Sequence, residues 1–150
     1  MRFYRDRRGH CLGIVAFLAA FILLPGLSHA QPAPISVCQL TQNRAAYDKK
    51  VIVVKGVVTD IKNRKAPSGY RYVIVQLKDV QGQCWVRLFF RHPQNFLTRG
   101  QTWDVLGRYF NNFRYFQWTF QNEVQPTEFI DGSCTRYLTQ FGWAKTAGCP

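Results

Sequence analysis

Val51-Ile52-Val53-Val54-Lys55-Gly56-Val57-Val58-Thr59-Asp60 is the stretch on which the fold turns. It is rich in Val and Ile, whose branched side chains pack well on a pleated sheet and lose rotamer freedom in a helix. The run reads as one long strand over Lys49–Ile61. Gly56 inside it marks a bulge or a sharp bend. Downstream, Tyr70–Lys78 alternates as a second strand, Asp79-Val80-Gln81-Gly82 supplies a hairpin connection, and Gln83–Phe90 is a third strand. Arg91–Arg99 holds Pro93 and reads as a short helix or turn ended by Gly100. Gln101–Tyr109 is a fourth strand, Asn111-Asn112 a turn, and Tyr115–Val124 a fifth strand. Pro126–Gly132 reads as a loop. Upstream, Ser36–Tyr47 reads as a helix, with Ser36 as N-cap and Val37, Leu40 and Ala45 at helical spacing. Thr135–Trp143 reads as a small helix between two cysteines.

Five short-spaced strands, the first long and bent at a glycine, predict an all-β, five-stranded closed barrel. Three segments make a resemblance specific. Val51–Asp60 resembles the opening strand of OB-fold domains of the nucleic-acid-binding, tRNA-anticodon-like type. Gln76-Leu77-Lys78-Asp79-Val80-Gln81-Gly82 resembles their second strand and hairpin. Leu97-Thr98-Arg99-Gly100-Gln101-Thr102-Trp103-Asp104-Val105-Leu106-Gly107 resembles the entry to their fourth strand. The resemblance spans about Val37 to Pro126. It implies a Greek-key barrel with a short helix between strands three and four, in a domain over residues 31–126. A C-terminal extension over residues 127–150 lies outside the pattern.

The first thirty residues read as an address. Arg2, Arg5, Arg7 and Arg8 precede an apolar run from Leu12 to Leu24, then Pro25-Gly26 and the small residues of Ser28-His29-Ala30. The run is short of the ~20 residues that cross a bilayer. The expectation is a signal peptide cleaved near Ala30 and a periplasmic or secreted protein with no membrane span; the rival is an uncleaved anchor. Beyond Ala30 the chain keeps 16 basic and seven acidic residues, a charge of +9 against +12 for all 150 residues. Cys38, Cys84, Cys134 and Cys149 also remain, an even number in an exported chain, which points to two disulfides. Three pairings are possible. Cys134–Cys149, closing a C-terminal loop, and Cys38–Cys84, tying the N-terminal segment to the sheet, are favoured. Zinc is disfavoured, since there is no Cys-x-x-Cys pair and His92 is the one histidine past residue 30.

OB folds bind on the face of strands two and three, framed by the loops joining strands one to two and four to five. On strand three, Cys84, Val86, Leu88 and Phe90 suit a core, while Trp85, Arg87, Phe89 and Arg91 share the other face. On strand two, Val73, Val75 and Leu77 look inward and Tyr70, Tyr72 and Ile74 outward. The one-to-two loop offers Lys62, Arg64 and Lys65; the four-to-five loop offers Asn111, Asn112, Phe113 and Arg114. Rings stack on bases and guanidiniums hold phosphates, so this face suits single-stranded nucleic acid with little sequence preference. The bland alternative has Trp85 and Phe89 covered by the 135–143 segment, and Lys62, Arg64 and Lys65 as a merely solvated loop. Trp103, Phe116, Trp118 and Phe120 are assigned to core.

Enzyme readings fare worse, and no cofactor is implied. Asp48, Asp60, Asp79, Asp104, Glu123, Glu128 and Asp131 form no close pair for acid–base work. A nucleophilic Cys84 would need a base and is better read as paired. Secreted staphylococcal-type nucleases also use an OB barrel, but their acidic metal-binding pattern is absent. The periplasmic haem chaperones carry a haem-attaching histidine in the tail, and this tail has none. Two further binding classes remain open. One is a protein-interaction module of an envelope or secretion assembly, for which Trp, Tyr and Arg would serve equally as hot spots. The other is an oligosaccharide binder.

Overall fold

The computed structural model describes residues 32–91, 94–115 and 118–149. The expected signal peptide, His92, Pro93 and Phe116 lie outside the described residues. The elements are β1 (Ile35–Ser36), α1 (Val37–Gln42), α2 (Arg44–Tyr47), β2 (Val51–Lys65), β3 (Arg71–Lys78), β4 (Trp85–Phe90), β5 (Thr102–Tyr115), β6 (Trp118–Asp131), β7 (Cys134–Thr139) and β8 (Gly142–Lys145). The fold is mostly β, as the sequence predicts.

Five of the strands pair in a closed ring. β2 pairs antiparallel with β3, β3 with β4, and β5 with both β6 and β2; β4 and β6 run parallel. Closure requires β2 to serve two neighbours. Its first half, Val51–Val57, pairs β5, and its second half, Val57–Lys65, pairs β3. The register slips at Thr59, between the pairs Val58↔Leu77 and Asp60↔Gln76, so the irregularity falls three residues beyond the glycine. Gly56 has a different task. A Cβ there would stand 2.7 Å from both Leu77 Cγ and the Lys78 carbonyl oxygen. Glycine lets β2 cross close over the end of β3.

Alternation along the strands fills the ring's interior with Val73, Val75, Leu77, Val86, Leu88, Phe90, Trp103, Val105, Tyr109 and Val124. Of the expected inward sets of the second and third strands, all are buried except Cys84, which is partly buried.

The N-terminal helix begins where the sequence places it. Ser36 Oγ accepts from the Gln39 N–H at 3.1 Å, and Gln39 Oε1 accepts from the Ser36 N–H at 2.9 Å, a reciprocal capping box. Val37 and Leu40 are fully buried. The single helix expected over Ser36–Tyr47 is two, broken at Asn43, and Ala45 is exposed. Cys38–Cys84 and Cys134–Cys149 are both formed, the favoured pairing. Beside the first bridge, Asp79 accepts from the backbone N–H groups of Cys38, Gln81 and Gly82 at 2.9, 3.0 and 3.1 Å. The Cys38 N–H, foremost among these donors, holds the Asp79 carboxyl below the ordinary range.

Five local expectations are corrected. Lys62, Arg64 and Lys65 sit on β2 itself, paired with Ile74, Tyr72 and Arg71, and the turn is pushed out to 66–70. Asn111-Asn112 is not a turn: β5 runs on to Tyr115 and pairs β6 along its length. The Asn111 N–H bonds Asp48 Oδ1 at 2.9 Å. No helix forms among the described residues between β4 and β5. There Leu97 N–H bonds Gln94 Oε1, Thr98 N–H bonds Gln101 Oε1, and Gly100 N–H and the Gln101 carbonyl bond Val58 of β2, so side chains and a strand take the backbone groups a helix would use.

Finally, Pro126–Gly132 is strand up to Asp131, and 135–143 is a hairpin instead of a helix. β7 pairs β6, β8 pairs β7, and Thr139 Oγ1 closes the turn on Phe141 N–H and the Gly142 carbonyl. Spacing of Tyr137, Leu138 and Phe141 mimics a helix, but β6 offers an open edge. Trp143 packs on Phe90, Phe96 and Phe129 at centroid distances of 5.7, 5.5 and 5.4 Å, closing the core.

Gly107 sits at a second bulge, where β6 passes Pro126, a residue that donates no ladder bond. A Cβ at Gly107 would lie 2.6 Å from the Gln125 carbonyl oxygen and 2.9 Å from Pro126 Cα. Gly107→Ala is expected to lower stability by about 1–3 kcal/mol through overpacking against backbone that cannot yield. Urea unfolding of the oxidised protein reads this directly; an unchanged midpoint would contradict the close packing.

Candidate nucleic-acid interface

The outward faces of β3 and β4 follow from alternation. Cross-strand pairs set the rows: Lys78 beside Trp85, Gln76 beside Arg87, Ile74 beside Phe89. β2 adds Asp60 next to Gln76, Lys62 next to Ile74 and Arg64 next to Tyr72. Trp85 is 40% exposed. The long β5–β6 hairpin brings more rings. Phe113 pairs with Phe120 and Tyr115 with Trp118, so all four share one face of the hairpin. That face meets β4. Tyr115 lies 6.5 Å from Phe89, and Phe89 lies 5.5 Å from Tyr72. Phe113 stacks on Tyr115 at 6.4 Å and meets Phe110 at 5.0 Å. A continuous line of rings therefore runs from Tyr72 across Phe89 to Tyr115 and Phe113.

Arg87 stands beside this line. Its guanidinium is 5.4 Å from the Phe120 ring and 6.0 Å from Trp85, both cation–π distances. With Asp60, Lys62, Ile74, Gln76 and Trp85 it lines a shallow concavity of about 210 Å³. The C-terminal hairpin packs its Trp143 on the Phe90 side and leaves Trp85 exposed.

The predicted residues divide by their partners. Trp85, Arg87, Phe89, Tyr72 and Phe113 come together. Arg64, Lys65, Arg91 and Arg114 are exposed around them. Lys62 is not a free cation: its Nζ lies 2.9 Å from Asp60 Oδ2, and Arg99 Nη2 lies 2.8 Å from the other oxygen. Lys62 foremost, with Arg99, holds the Asp60 carboxyl below the ordinary range. Tyr70 is pinned, its hydroxyl donating to the Arg91 carbonyl at 2.6 Å.

Tyr115, Trp118 and Phe120 were not among the expected face residues. Trp103 is core, as expected. Trp118, assigned to core, is 62% exposed, and Phe120 is half-buried beneath Arg87. The aromatic alternation over 113–120 carried the signal, but it belongs to a hairpin standing off the barrel.

Opposite Arg87, on β6, lies a carboxyl. Asn122 takes a left-handed φ of 52°, and its Oδ1 accepts from the Tyr109 hydroxyl at 2.9 Å. Glu123 and Val124, sequence neighbours on β6, are both fully buried. Glu123 pairs opposite Arg87. Neither carboxyl oxygen meets a hydrogen-bond donor in bonding geometry among the described residues. Burial pushes its pKa up to about 7, opposed by the Gln125 side chain and the Arg87 charge. Among the described residues no group of three His, Cys, Asp or Glu side chains could hold a metal ion.

The fold and face define a class: a disulfide-linked β-barrel domain with an aromatic and basic outer surface. No protein-family model and no curated protein matches the chain. A solved structure from Klebsiella pneumoniae, provisionally named a nucleic acid-binding lipoprotein, aligns with a TM-score of 0.49 at 19% identity. The alignment covers 67% of this chain and 92% of that one.

Glu123 makes stability depend on pH. Its folded pKa lies above the unfolded value, so the fold binds the proton more tightly. Stability is therefore greatest below about pH 4.5 for this group and falls as pH rises towards 7, by a total of order 3 kcal/mol. Glu123→Gln is expected to remove this slope and to raise the urea midpoint at pH 8 relative to wild type. Parallel pH profiles of the two proteins would show that another group is responsible.

Proposed function

We propose that the chain is an exported, non-catalytic OB-type barrel that binds single-stranded nucleic acid with little sequence preference. The observation that carries this reading is the run of rings from Tyr72 through Phe89 to Tyr115, flanked by Trp85 and by arginines. Among the described residues, Arg64, Arg91 and Arg114 pair with no carboxylate, and Arg87 faces only the buried Glu123. Monomeric proteins seldom leave such a surface to water without a use. Every base offers a π-face, so a ring platform tolerates any sequence, and the guanidiniums supply phosphate contacts.

Support for the OB-type assignment comes from the strand order, in which β2 closes on β5 and the parallel pair joins β4 to β6. Export is supported by the two disulfides, bonds that persist in oxidising compartments. Among the described residues no helix is long and apolar enough to cross a membrane. A strand would lie along β3 and β4 between the β2–β3 and β5–β6 hairpins, with Trp85, Phe89 and Tyr72 stacking on bases. Arg87 and Arg91 would hold phosphates; Arg64, Lys65 and Arg114 would guide the strand at the rim.

The test is fluorescence anisotropy of a labelled oligothymidylate with the oxidised protein over a salt series. Binding is expected, with a log–log slope of about −0.7 per phosphate contact. Trp85→Ala should weaken it by roughly 5- to 160-fold, the value of one ~1–3 kcal/mol stack. Phe141→Ala, at a 91% exposed hairpin tip, should leave it unchanged. No binding at low salt would overturn the reading. The same rings would then serve as hot spots of an interface with an envelope protein, which salt would affect little.

A further inference from the structure

β4 and β6 are paired only at Arg87↔Glu123 and Leu88↔Val124. Beyond these residues β6 follows β5, then β7, and the two parallel strands part. The opening is a groove of about 280 Å³. One wall is the end of β4, with Phe89 and Arg91. The floor is β5 and β6, with Arg108 and Gln125. The far wall is the C-terminal hairpin, with Leu138 and Trp143. Leu138 and Trp143 are a cross-strand pair and present one side to the groove. Trp143 is wedged against Phe90, Phe96 and Phe129, so that wall is rigid.

Two guanidiniums line this one groove, and among the described residues no carboxylate does. Among the described residues neither Arg91 nor Arg108 pairs with an acid. Arg108 Nη1 donates to the Lys49 carbonyl at 3.0 Å, which orients the group without neutralising it. Two like charges held in one concavity repel unless an anion joins them. The remaining lining is aromatic and aliphatic. A ligand that satisfies both halves has a flat ring at one end and a phosphate at the other.

We propose that this groove is a second binding site, separate from the Trp85–Arg87 concavity, and that it takes one nucleoside monophosphate unit. The base lies between Phe89 and the Leu138–Trp143 wall, and the phosphate bridges Arg91 and Arg108. The choice of a nucleotide rests on the nucleic-acid reading above; the groove and its two cations do not. Phe89 and Arg91 belong to both surfaces, so the unit is either free or the terminus of a strand lying on the outer face.

Calorimetric titration of the oxidised protein with thymidine 5′-monophosphate tests this, with thymidine and inorganic phosphate as controls. The nucleotide is expected to bind at least tenfold more tightly than either control. Leu138→Trp, which fills the groove, and Arg108→Gln, at an exposed position, should each weaken it at least tenfold. Trp85→Ala should not. Comparing 5′-phosphorylated with unphosphorylated oligothymidylate separates the two sources. A gain lost in Leu138→Trp marks a strand terminus, and equal affinities mark a free nucleotide; both support the site.

Absence of nucleotide binding while oligothymidylate binds would overturn the groove and leave the outer face standing. Nucleotide binding without oligothymidylate binding would do the reverse. Nucleotide binding that survives both groove variants would also overturn it.

Discussion

The structure depends on one strand dividing itself between two partners of the ring, while β1 pairs it from outside. β2 gives its first half to β5 and its second half to β3, and the ring closes only because of that division. Closure leaves the ring without a full free edge, since β4 and β6 still meet at Arg87↔Glu123 and Leu88↔Val124. The division is possible because Gly56 lets the strand pass close above Leu77 and Lys78, and because the register slips at Thr59. The N-terminal segment is fastened to the same corner. Cys38 is joined to Cys84, and Asp79 gathers the Cys38, Gln81 and Gly82 amides. One covalent bond and one carboxylate thus hold the helix, the β3–β4 turn and the start of β4 together.

Closure also determines what is left outside. Once Val86, Leu88 and Phe90 point into the ring, Trp85, Arg87 and Phe89 must point out. Two additions then divide the outer surface. The β7–β8 hairpin puts Trp143 on Phe90, Phe96 and Phe129 and seals the core. The β5–β6 arm lays Tyr115 and Phe120 alongside Phe89 and Arg87 without hiding Trp85. Arg87 is steadied between two rings, with the buried Glu123 carboxyl opposite it on β6. Such an arrangement holds the cation in place ahead of any ligand, which lowers the ordering cost of binding.

The barrel strands were legible because their signal is local. Val-rich runs, a period of two and turn residues at their ends survive any packing arrangement. Ser36 as a cap was legible for the same reason, since its partner Gln39 is three residues away. The 135–143 segment was misread because its apolar spacing fits a helix equally well, and only the open edge of β6 decides for a strand. Asn111-Asn112 carries turn residues, yet Asp48, 63 positions earlier, takes the Asn111 amide. Trp118 was assigned to core by alternation alone; alternation tells which residues share a face and not whether that face is covered.

The sequence by itself determined the β character of the chain, the inward sets of two strands, the cap of the first helix and the favoured cysteine pairs. Those follow from neighbours in the chain or from a small number of ways to pair thiols. Tertiary structure alone decided that β5 and β6 extend into an arm, that Asp60 is shared by Lys62 and Arg99, and that Glu123 is buried opposite Arg87. It also decided that β4 and β6 part to leave a groove with two arginines. Each of these depends on groups brought together from distant positions, and distance in space between such groups is not written in local pattern.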